Sequence, residues 1–250
     1  MTQKIFGHRG ASGQAPENTL EAFELAARMG AHGVELDVHL TRDGALVVTH
    51  DERIERVSDG EGWVRDRTLR ELKALRFNRT HPEYADARIP TLEEVFQLLD
   101  PTGLEINIEL KNSCVDYPEL ERRVVELAAK CFSLDRIIFS SFNHYSMQRV
   151  KALDAGLTCG LLYDATLVRP WEYARALGMD ALHPMFTEVL VPGGECAQAH
   201  AAGIRVNTWT VNEEEDLRAV LKEGADIVIT NFPDRALRVL AGDPGSGKPA

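Results

Sequence analysis

The sequence has few cysteines, and none of them is arranged in a metal-binding or redox motif. Its 250 residues include only Cys114, Cys131, Cys159 and Cys196, with no Cys-x-x-Cys pair. This spacing argues against a zinc cluster and against the dense disulfide framework of small secreted domains. We expect four reduced thiols, most of them buried.

Long hydrophobic runs are also absent from the sequence. Residues 1–8 lack the apolar core of a signal peptide. No uninterrupted apolar run approaches the roughly 18 residues that suggest a bilayer span. We therefore expect a cytoplasmic protein without a membrane span.

Positive charge is scarce relative to negative charge. Lys and Arg number 28 against 39 Asp and Glu, which gives a formal net charge of -11. Such a surface repels the phosphates of nucleic acids and anionic membranes, so we expect no nucleic-acid partner. An anionic ligand would need a local source of attraction, such as a metal ion or a few Arg and Lys side chains.

Short apolar or β-branched runs alternate with helical patterns along nearly the whole chain. The predicted strands are 4–8, 34–40, 104–110, 136–140, 159–163, 181–183, 205–207 and 227–230. The predicted helices between them are 19–29, 92–99, 117–132, 145–153, 171–177, 195–202, 213–223 and 234–240. Thr91 and Glu94 have the spacing of a capping box. This alternation predicts an α/β protein with a TIM (β/α)8 barrel, although a doubly wound open sheet would give the same signals.

One interval, 51–90, interrupts the alternation. It is rich in Arg, Asp and Glu and is too long for a βα loop of roughly 2–6 residues. We expect a small insertion after strand 2 that forms a cap subdomain over one face of the barrel, with Trp63, Phe77 and Tyr84 packed in it or lining a pocket. Residues 1–241 are expected to form a single barrel domain, and 242–250 a disordered tail.

Acidic residues share one face of two neighbouring predicted strands. Strict alternation in 34–40 places Glu35 and Asp37 opposite the apolar residues, and the same alternation in 104–110 does so for Glu109. In a barrel the apolar face points out to the helices, so these acids point inward. They would repel one another unless Arg or Lys pairs with them or a hard divalent cation, Mg²⁺ or Ca²⁺, bridges them.

Two histidines are predicted at the same end of the barrel. His8 ends the first strand, and His50 ends a short extended run, 46–49, after the second. A histidine beside acids suits general acid–base chemistry near neutral pH. Arg9 and Lys111 are the nearest positive residues and either balance the acids or bind phosphate oxygens. His183, at a later strand end, is a possible peripheral contributor.

Several short motifs also carry a family resemblance. They are Gly7-His8-Arg9-Gly10, Pro16-Glu17-Asn18-Thr19, Glu35-Leu36-Asp37-Val38, His50-Asp51, Arg88-Ile89-Pro90-Thr91-Leu92, Glu109-Leu110-Lys111 and Val206-Asn207-Thr208-Trp209-Thr210. In this order, over about residues 4–240, the chain resembles the glycerophosphodiester phosphodiesterase family, and within it the short bacterial cytosolic members.

The resemblance implies a function for each matching residue. Glu35, Asp37 and Glu109 would bind one divalent cation, and His8 and His50 would act as the acid–base pair. Arg9 and Lys111 would contact the phosphate of a small-molecule glycerophosphodiester. Trp209 would offer an apolar wall to the glycerol or the leaving alcohol, although it could equally be a core aromatic residue. The products would be sn-glycerol 3-phosphate and an alcohol.

Other functions are compatible with the same residues. A sphingomyelinase-D-like or lysophospholipase-D-like phosphodiesterase would use the substrate's own hydroxyl and release a cyclic phosphate. A non-catalytic binding barrel would keep the fold without the reaction. Proton abstraction of the enolase type would need a base on the later strands, where only His183 is available. The sequence leaves open the head-group alcohol, the resident metal, the role of each histidine, the first nucleophile (water or the glycerol 2-hydroxyl) and the oligomeric state.

Overall fold

Eight parallel strands form a closed barrel in the computed structural model, which describes residues 2–191 and 195–242. The strands are β1 (Lys4–His8), β2 (Gly33–Leu40), β3 (Leu46–Val48), β4 (Glu105–Leu110), β5 (Ile137–Ser141), β6 (Thr158–Tyr163), β7 (Ala181–Pro184), β8 (Arg205–Thr208) and β9 (Ile227–Thr230). The barrel closes because β1 pairs in parallel with both β2 and β9. β3 is the exception, since it runs antiparallel to β2 outside the ring. The predicted TIM barrel is confirmed.

Helices lie between the strands. They are α1 (Leu20–Arg28), α2 (Leu69–Lys73), α3 (Leu92–Leu99), α4 (Leu120–Cys131), α5 (His144–Leu153), α6 (Pro170–Ala176), α7 (Phe186–Val189), α8 (Glu195–Ala201), α9 (Glu214–Glu223) and α10 (Pro233–Leu240). The capping box predicted for Thr91 and Glu94 is present at the start of α3. The sequence pattern missed α7, because its four residues are too few to show a helical period.

The period-two pattern of the strands divides the interior into two regions. Val34, Leu36 and Val38 of β2 are fully buried in the main apolar core, which includes side chains of the surrounding helices. Residues of the opposite parity point into the barrel. Phe6 and Ile138 are among the apolar ones and belong to a separate small cluster. Polar and charged side chains occupy the carboxyl-terminal end of the barrel, where enzymes of this fold keep their active sites.

The insertion 51–90 has a small core of its own, which includes Phe77 and Leu72 of α2. Trp63 lies between two guanidinium groups, those of Arg53 and Arg65, at 5.7 Å and 4.7 Å from the ring centroid. The Tyr84 hydroxyl donates a hydrogen bond to the backbone oxygen of Gln14 at 3.2 Å. The three aromatic residues of the insertion therefore pack against protein groups. Residues 243–250 of the predicted tail lie outside the described residues.

None of the four cysteines forms a disulfide bond, and only half of them are buried. Cys159 and Cys196 are buried, Cys131 is partly exposed and Cys114 is exposed. The expectation of mostly buried thiols is wrong for Cys114, which lies exposed in the loop after β4.

Among the residues that the structure describes, no helix has the length and apolar character needed to cross a bilayer.

Candidate active site

Three carboxylates meet inside the carboxyl-terminal end of the barrel. Glu35 and Asp37 on β2 and Glu109 on β4 each bring an oxygen atom within 4.8 Å of the others, and we call them the acidic trio. All three are buried, and Asp37 is fully inaccessible to solvent. Their closeness follows from the strand register, in which Asp37 is paired with Glu109. The inward orientation predicted from the period-two pattern is therefore what the structure shows.

Two cationic side chains contact the acidic trio. The Lys111 Nζ atom lies 2.8 Å from an oxygen of Glu109 and 3.7 Å from Oδ1 of Asp37. The Arg9 Nε atom lies 3.6 Å from Oδ2 of Asp37, and the Arg9 backbone N–H donates to Glu35 at 3.0 Å. Arg9 has φ of 55°, in the left-handed region. This conformation belongs to the Gly7–Gly10 turn, which brings both the amide and the guanidinium of Arg9 to the trio.

Asn18 holds the central carboxylate in place. Its Nδ2 atom donates to Oδ2 of Asp37 at 2.8 Å, and its backbone also has positive φ, at 57°. The next residue, Thr19, caps α1 by accepting a hydrogen bond from the Ala22 backbone N–H. The start of α1 therefore fixes Asn18 against the trio. Oδ1 of Asp37 is buried and has no hydrogen-bond partner, so it remains available as a ligand atom.

The protonation of the trio reflects crowding of negative charge. Burial raises the pKa of Glu35 well above its usual range, and the neighbouring charges of Asp37 and Glu109 raise it further. Burial raises the pKa of Glu109 as well, despite the opposing charge of Lys111. Burial alone would also raise the pKa of Asp37, but the charges of His50 and Lys111 hold it below its usual range. Two of the three carboxyl groups thus resist ionisation unless more positive charge is supplied.

The donor set and the charge count both fit a divalent cation. Five carboxylates and three cations are linked by ion pairs and hydrogen bonds around the trio: Glu17, Glu35, Asp37, Asp51 and Glu109 against Arg9, Arg56 and Lys111. Arg and Lys therefore pair with the acids, as the first alternative from the sequence expects. When all five carboxylates are ionised, an excess of two negative charges remains, which a divalent cation would balance. Clustered carboxylate oxygens are the ligands that Mg²⁺ and Ca²⁺ prefer.

His8 presents one ring nitrogen to the same region. Its Nδ1–H donates to Oδ1 of Asn231 at 2.6 Å, and this oxygen also accepts from the Ser12 hydroxyl at 3.0 Å. Nε2 then carries the lone pair and lies 4.0 Å from Glu35 and 3.5 Å from the Thr210 hydroxyl. Burial and the charge of Arg9 lower the pKa of His8 to about 3. The ring is therefore neutral at neutral pH and can accept a proton.

His50 presents its Nε2 atom from the other side. Its Nδ1–H donates to Asp51 at 2.6 Å, and the second oxygen of Asp51 accepts from Arg56 Nε, also at 2.6 Å. Nε2 lies 3.3 Å from the Lys111 ammonium group, which donates to it. Burial would raise the pKa of Asp51, but its hydrogen bonds to His50 and Arg56 hold that pKa well below its usual range. Asp51 thus stays ionised and fixes the tautomer of His50.

The two histidines face one cavity of about 80 Å³. Its lining comprises His8, Arg9, Glu35, His50, Asn107, Glu109, Phe142, Leu162, Trp209, Thr210 and Ile229. This lining combines polar and charged side chains with apolar ones, which are those of Phe142, Leu162, Trp209 and Ile229. A larger groove, of about 680 Å³, lies outside the barrel mouth between the loop after β4 and α5, and none of the trio lines it.

The sequence leaves open whether Trp209 and His183 contribute to the site. Trp209 lines the cavity, packs edge-on against Phe142 with ring centroids 5.6 Å apart, and donates from its indole N–H to the backbone oxygen of His183 at 2.9 Å. His183 is fully buried, and its ring accepts a hydrogen bond from Asn207 at 2.9 Å. The His183 side chain does not line the cavity and is buried in the barrel interior.

Sequence reasoning from charge and spacing missed several residues that hold the site. Asn18, Asp51 and Asn231 position the trio and the histidine pair, but the first two appeared only inside the family motifs. No local sequence pattern connects Asn231 with His8, because the two residues are 223 positions apart. Its position directly after the last barrel strand, where β9 pairs with β1, was the one available indication.

Comparison with known proteins identifies a family. The model of the glycerophosphoryl diester phosphodiesterase family matches residues 8–235. A glycerophosphodiester phosphodiesterase of Caldanaerobacter subterraneus subsp. tengcongensis is 40% identical over 241 residues, which cover 96% of this chain and 98% of that protein. A glycerophosphodiester phosphodiesterase of Bacillus altitudinis is 38% identical over 240 residues, covering 94% of this chain and 97% of that protein.

Solved structures give the same result. A phosphodiesterase of Oleispira antarctica, in complex with the product sn-glycerol-3-phosphate, superimposes with a TM-score of 0.89 at 31% identity and covers 96% of this chain and 97% of its own. The glycerophosphodiester phosphodiesterase of Thermotoga maritima has a TM-score of 0.79 at 31% identity and covers 96% of this chain and 99% of its own. This chain, with its barrel and its acidic trio, belongs to the glycerophosphoryl diester phosphodiesterase family.

Proposed function

We propose that this chain hydrolyses glycerophosphodiesters to sn-glycerol 3-phosphate and an alcohol, with one divalent cation held by the acidic trio and with His8 and His50 transferring the protons. Its family and its named relatives make the chain a phosphoric diester hydrolase. One observation carries the finer proposal: the acidic trio lies beside a small cavity that is lined by two of its carboxylates, Glu35 and Glu109, and by both histidines.

The trio supplies the ligands for the cation. Glu35, Asp37 and Glu109 offer oxygen atoms that suit Mg²⁺ or Ca²⁺. When bound, such a cation neutralises the negative charge that a phosphodiester brings into the site. Asn18 orients the central ligand, Asp37, through its hydrogen bond of 2.8 Å.

Arg9 and Lys111 hold the phosphate. Burial would lower the pKa of the Lys111 ammonium group, but Glu109 and Asp37 raise it above its usual range, so the group stays charged. Arg9 is likewise kept charged by Asp37 and Glu17 against the effect of burial. Both side chains contact the trio, so a phosphate beside the trio lies within reach of both. Charged donors of this kind stabilise the oxyanion that forms in the transition state.

The two imidazoles transfer protons through their Nε2 atoms. Asn231 and Asp51 occupy the Nδ1 atoms, so Nε2 is the nitrogen of each ring that remains for proton transfer, and in His50 it accepts from Lys111. One ring, unprotonated at Nε2, takes a proton from the nucleophile, which is water or the glycerol 2-hydroxyl. The other ring must enter the reaction protonated at Nε2 and gives that proton to the departing alkoxide. If the 2-hydroxyl attacks, water then opens the cyclic phosphate to give sn-glycerol 3-phosphate. Trp209, Phe142 and Leu162 give the carbon skeleton of glycerol or of the alcohol an apolar wall.

Metal removal and product analysis test this proposal. Purified protein is treated with EDTA, passed through a desalting column and assayed on glycerophosphocholine with and without added Mg²⁺ or Ca²⁺, while ³¹P NMR follows the products. We expect activity only after one of the cations is restored, with glycerol 3-phosphate as the final product. A persistent cyclic phosphate would support the sphingomyelinase-D-like alternative. No turnover of any glycerophosphodiester, with or without metal, would support the non-catalytic barrel.

A further inference from the structure

His50 lies outside the regular strands. β3 ends at Val48, and the Thr49 backbone N–H donates to the backbone oxygen of Asp37 at 3.1 Å. His50 follows in a bend, so the strand ladder no longer holds its backbone. Asp51 orients the ring of His50 from the next position, yet the backbone that carries the ring needs a fixed point of its own.

His39 provides a fixed point for this backbone. It lies on β2, is fully buried, and donates from Nε2 to the backbone oxygen of His50 at 3.1 Å. Its Nδ1 atom accepts from the Tyr117 hydroxyl at 3.0 Å. The two rings meet edge-on with centroids 5.7 Å apart and an interplanar angle of 84°.

These two hydrogen bonds define one tautomer and one orientation of the ring. A carbonyl oxygen can only accept, so Nε2 of His39 carries the proton. Nδ1 of the neutral ring is then an acceptor, which the Tyr117 hydroxyl satisfies. Tyr117 lies in the loop after β4, so the His39 ring joins that loop to the segment that carries His50.

We propose that His39 is a positioning residue for His50 and that Tyr117 holds the His39 ring in the orientation this requires. The inference rests on the proposed function, because it matters only if His50 transfers a proton. His39 does not line the catalytic cavity, whereas His50 does. A proton donor or acceptor displaced by about 1 Å loses up to roughly 10²-fold in rate, so a loosened His50 backbone should lower kcat.

The chain contains a matched pair elsewhere. His144 makes the same two bonds, from Nε2 to the backbone oxygen of Leu162 at 2.9 Å and between Nδ1 and the Tyr173 hydroxyl at 3.2 Å. Leu162, however, lies within β6, where the strand ladder fixes its backbone. Loss of the Tyr173 hydroxyl should therefore leave the rate unchanged, which makes Tyr173→Phe the control for Tyr117→Phe.

The test measures kcat and KM on glycerophosphocholine at saturating Mg²⁺ or Ca²⁺. We expect His39→Leu to lower kcat by at least about tenfold and to change KM by less than about twofold. His39→Gln keeps an amide donor that can reach the His50 oxygen, and should recover kcat to within about threefold of the wild type. Tyr117→Phe should lower kcat by about threefold or more, and Tyr173→Phe should not lower it.

A second arm separates positioning from general stability. In a His50→Ala background, a further His39→Leu change should cause no additional loss, since the residue acts through His50. The positioning role would be wrong if His39→Leu lowered kcat as much in the His50→Ala background as in the wild type. It would also be wrong if His39→Leu and Tyr117→Phe both had wild-type kcat. Either result would leave the proposed function intact. A normal rate for His50→Ala alone would overturn both. If His39→Leu does not fold, the kcat of Tyr117→Phe compared with that of its control, Tyr173→Phe, tests the positioning role.

Discussion

At the scale of single residues, the partners of His8 and His50, the proposed catalytic histidines, differ in charge. His8 donates from Nδ1 to the neutral amide of Asn231, whereas His50 donates to the carboxylate of Asp51. A carboxylate stabilises a protonated imidazole, and a neutral amide does so far less. The two rings are therefore chemically distinct, although both point Nε2 into the cavity.

Replacing His50 by Ala should lower kcat by roughly 10²–10⁴-fold, the usual contribution of a positioned acid or base. KM should change much less, because Arg9 and Lys111 remain to bind phosphate. Steady-state kinetics on glycerophosphocholine measure both values. His81→Ala is the control, since His81 is partly exposed in the insertion and its Nδ1 atom contacts only Thr80. A loss below threefold for His50→Ala would remove this residue from the catalytic pair.

Glu109→Gln should raise the concentration of Mg²⁺ or Ca²⁺ that gives half-maximal activity by at least about tenfold. The change keeps the shape of the side chain and removes one negative charge from the trio. A metal titration of activity after EDTA treatment measures the effect. Glu105→Gln is the matched control on the same strand, because Glu105 pairs with Lys4 instead of with the trio. Equal metal requirements for both variants would argue against the trio as the metal site.

At the scale of structural elements, β2 and β4 account for what the sequence could predict. Apolar residues alternate with Glu35 and Asp37 on one strand and with Glu109 on the other, so parity alone placed the acids inside the barrel. A period of two is visible in any sequence window of a strand. The inward-facing acids were therefore predictable from local patterns, whereas closure of the sheet into a barrel depends on the distant pairing of β1 with β9.

Contacts between distant elements could not be predicted in the same way. The bond from Asn18 to Asp37 depends on a left-handed backbone at the start of α1. The bond from Arg56 to Glu17 spans 39 positions and depends on where the folded insertion places Arg56. Neither contact has a local sequence period, and each follows from three-dimensional packing that no short window contains.

The capping box of α3 gives a prediction at this scale. The Thr91 hydroxyl accepts from the Glu94 backbone N–H at 3.2 Å, and Glu94 accepts from the Thr91 N–H at 2.7 Å. Thr91→Ala should lower the free energy of unfolding by about 1 kcal/mol because one helix N–H group loses its partner. Urea unfolding followed by circular dichroism measures the change. Thr91→Ser keeps the hydroxyl and should lower the free energy of unfolding by less than half as much as Thr91→Ala. If both variants lowered it equally, the loss would come from the methyl group instead of the hydroxyl.

At the scale of the whole molecule, charge is distributed unevenly. The chain carries a formal net charge of -11, yet Arg9 lines the small cavity and Lys111 lies 2.8 Å from Glu109, which also lines it. A small substrate with one phosphate can use these local charges, since the field of the remaining surface is screened within about 8 Å at physiological ionic strength. On the proposed function, substrate binding should therefore depend on the cavity and on the bound cation more than on long-range attraction.

The stability of the molecule should fall as the pH is lowered from about 6.5. Burial and the charge of Arg205 lower the pKa of His183 to about 3, whereas an unfolded chain has a histidine pKa near 6.5. Between these values the unfolded state binds a proton that the folded state excludes, so acid favours unfolding. His183 alone should contribute a loss of about 1 kcal/mol on going from pH 7.5 to 5.5.

Urea titrations of the metal-free protein at pH 7.5 and 5.5 measure this loss. His183→Gln should reduce the pH dependence by about that amount, whatever its effect on stability at a single pH. His81→Gln, at a partly exposed histidine, should leave the dependence unchanged. If the free energy of unfolding of His183→Gln depended on pH as strongly as that of the wild type, His183 would not be the cause of the loss.

The pairing of the first strand with the last has a consequence for biosynthesis. β1 lies beside β9, and His8 donates to Asn231 directly after it. A chain emerging from the ribosome has synthesised the acidic trio and His50 before half its length, but its N-terminal imidazole has no Nδ1 acceptor until Asn231 has been added. On the proposed mechanism, catalysis should begin only after Asn231 has been added to the chain, and truncated chains that end before Asn231 should be inactive.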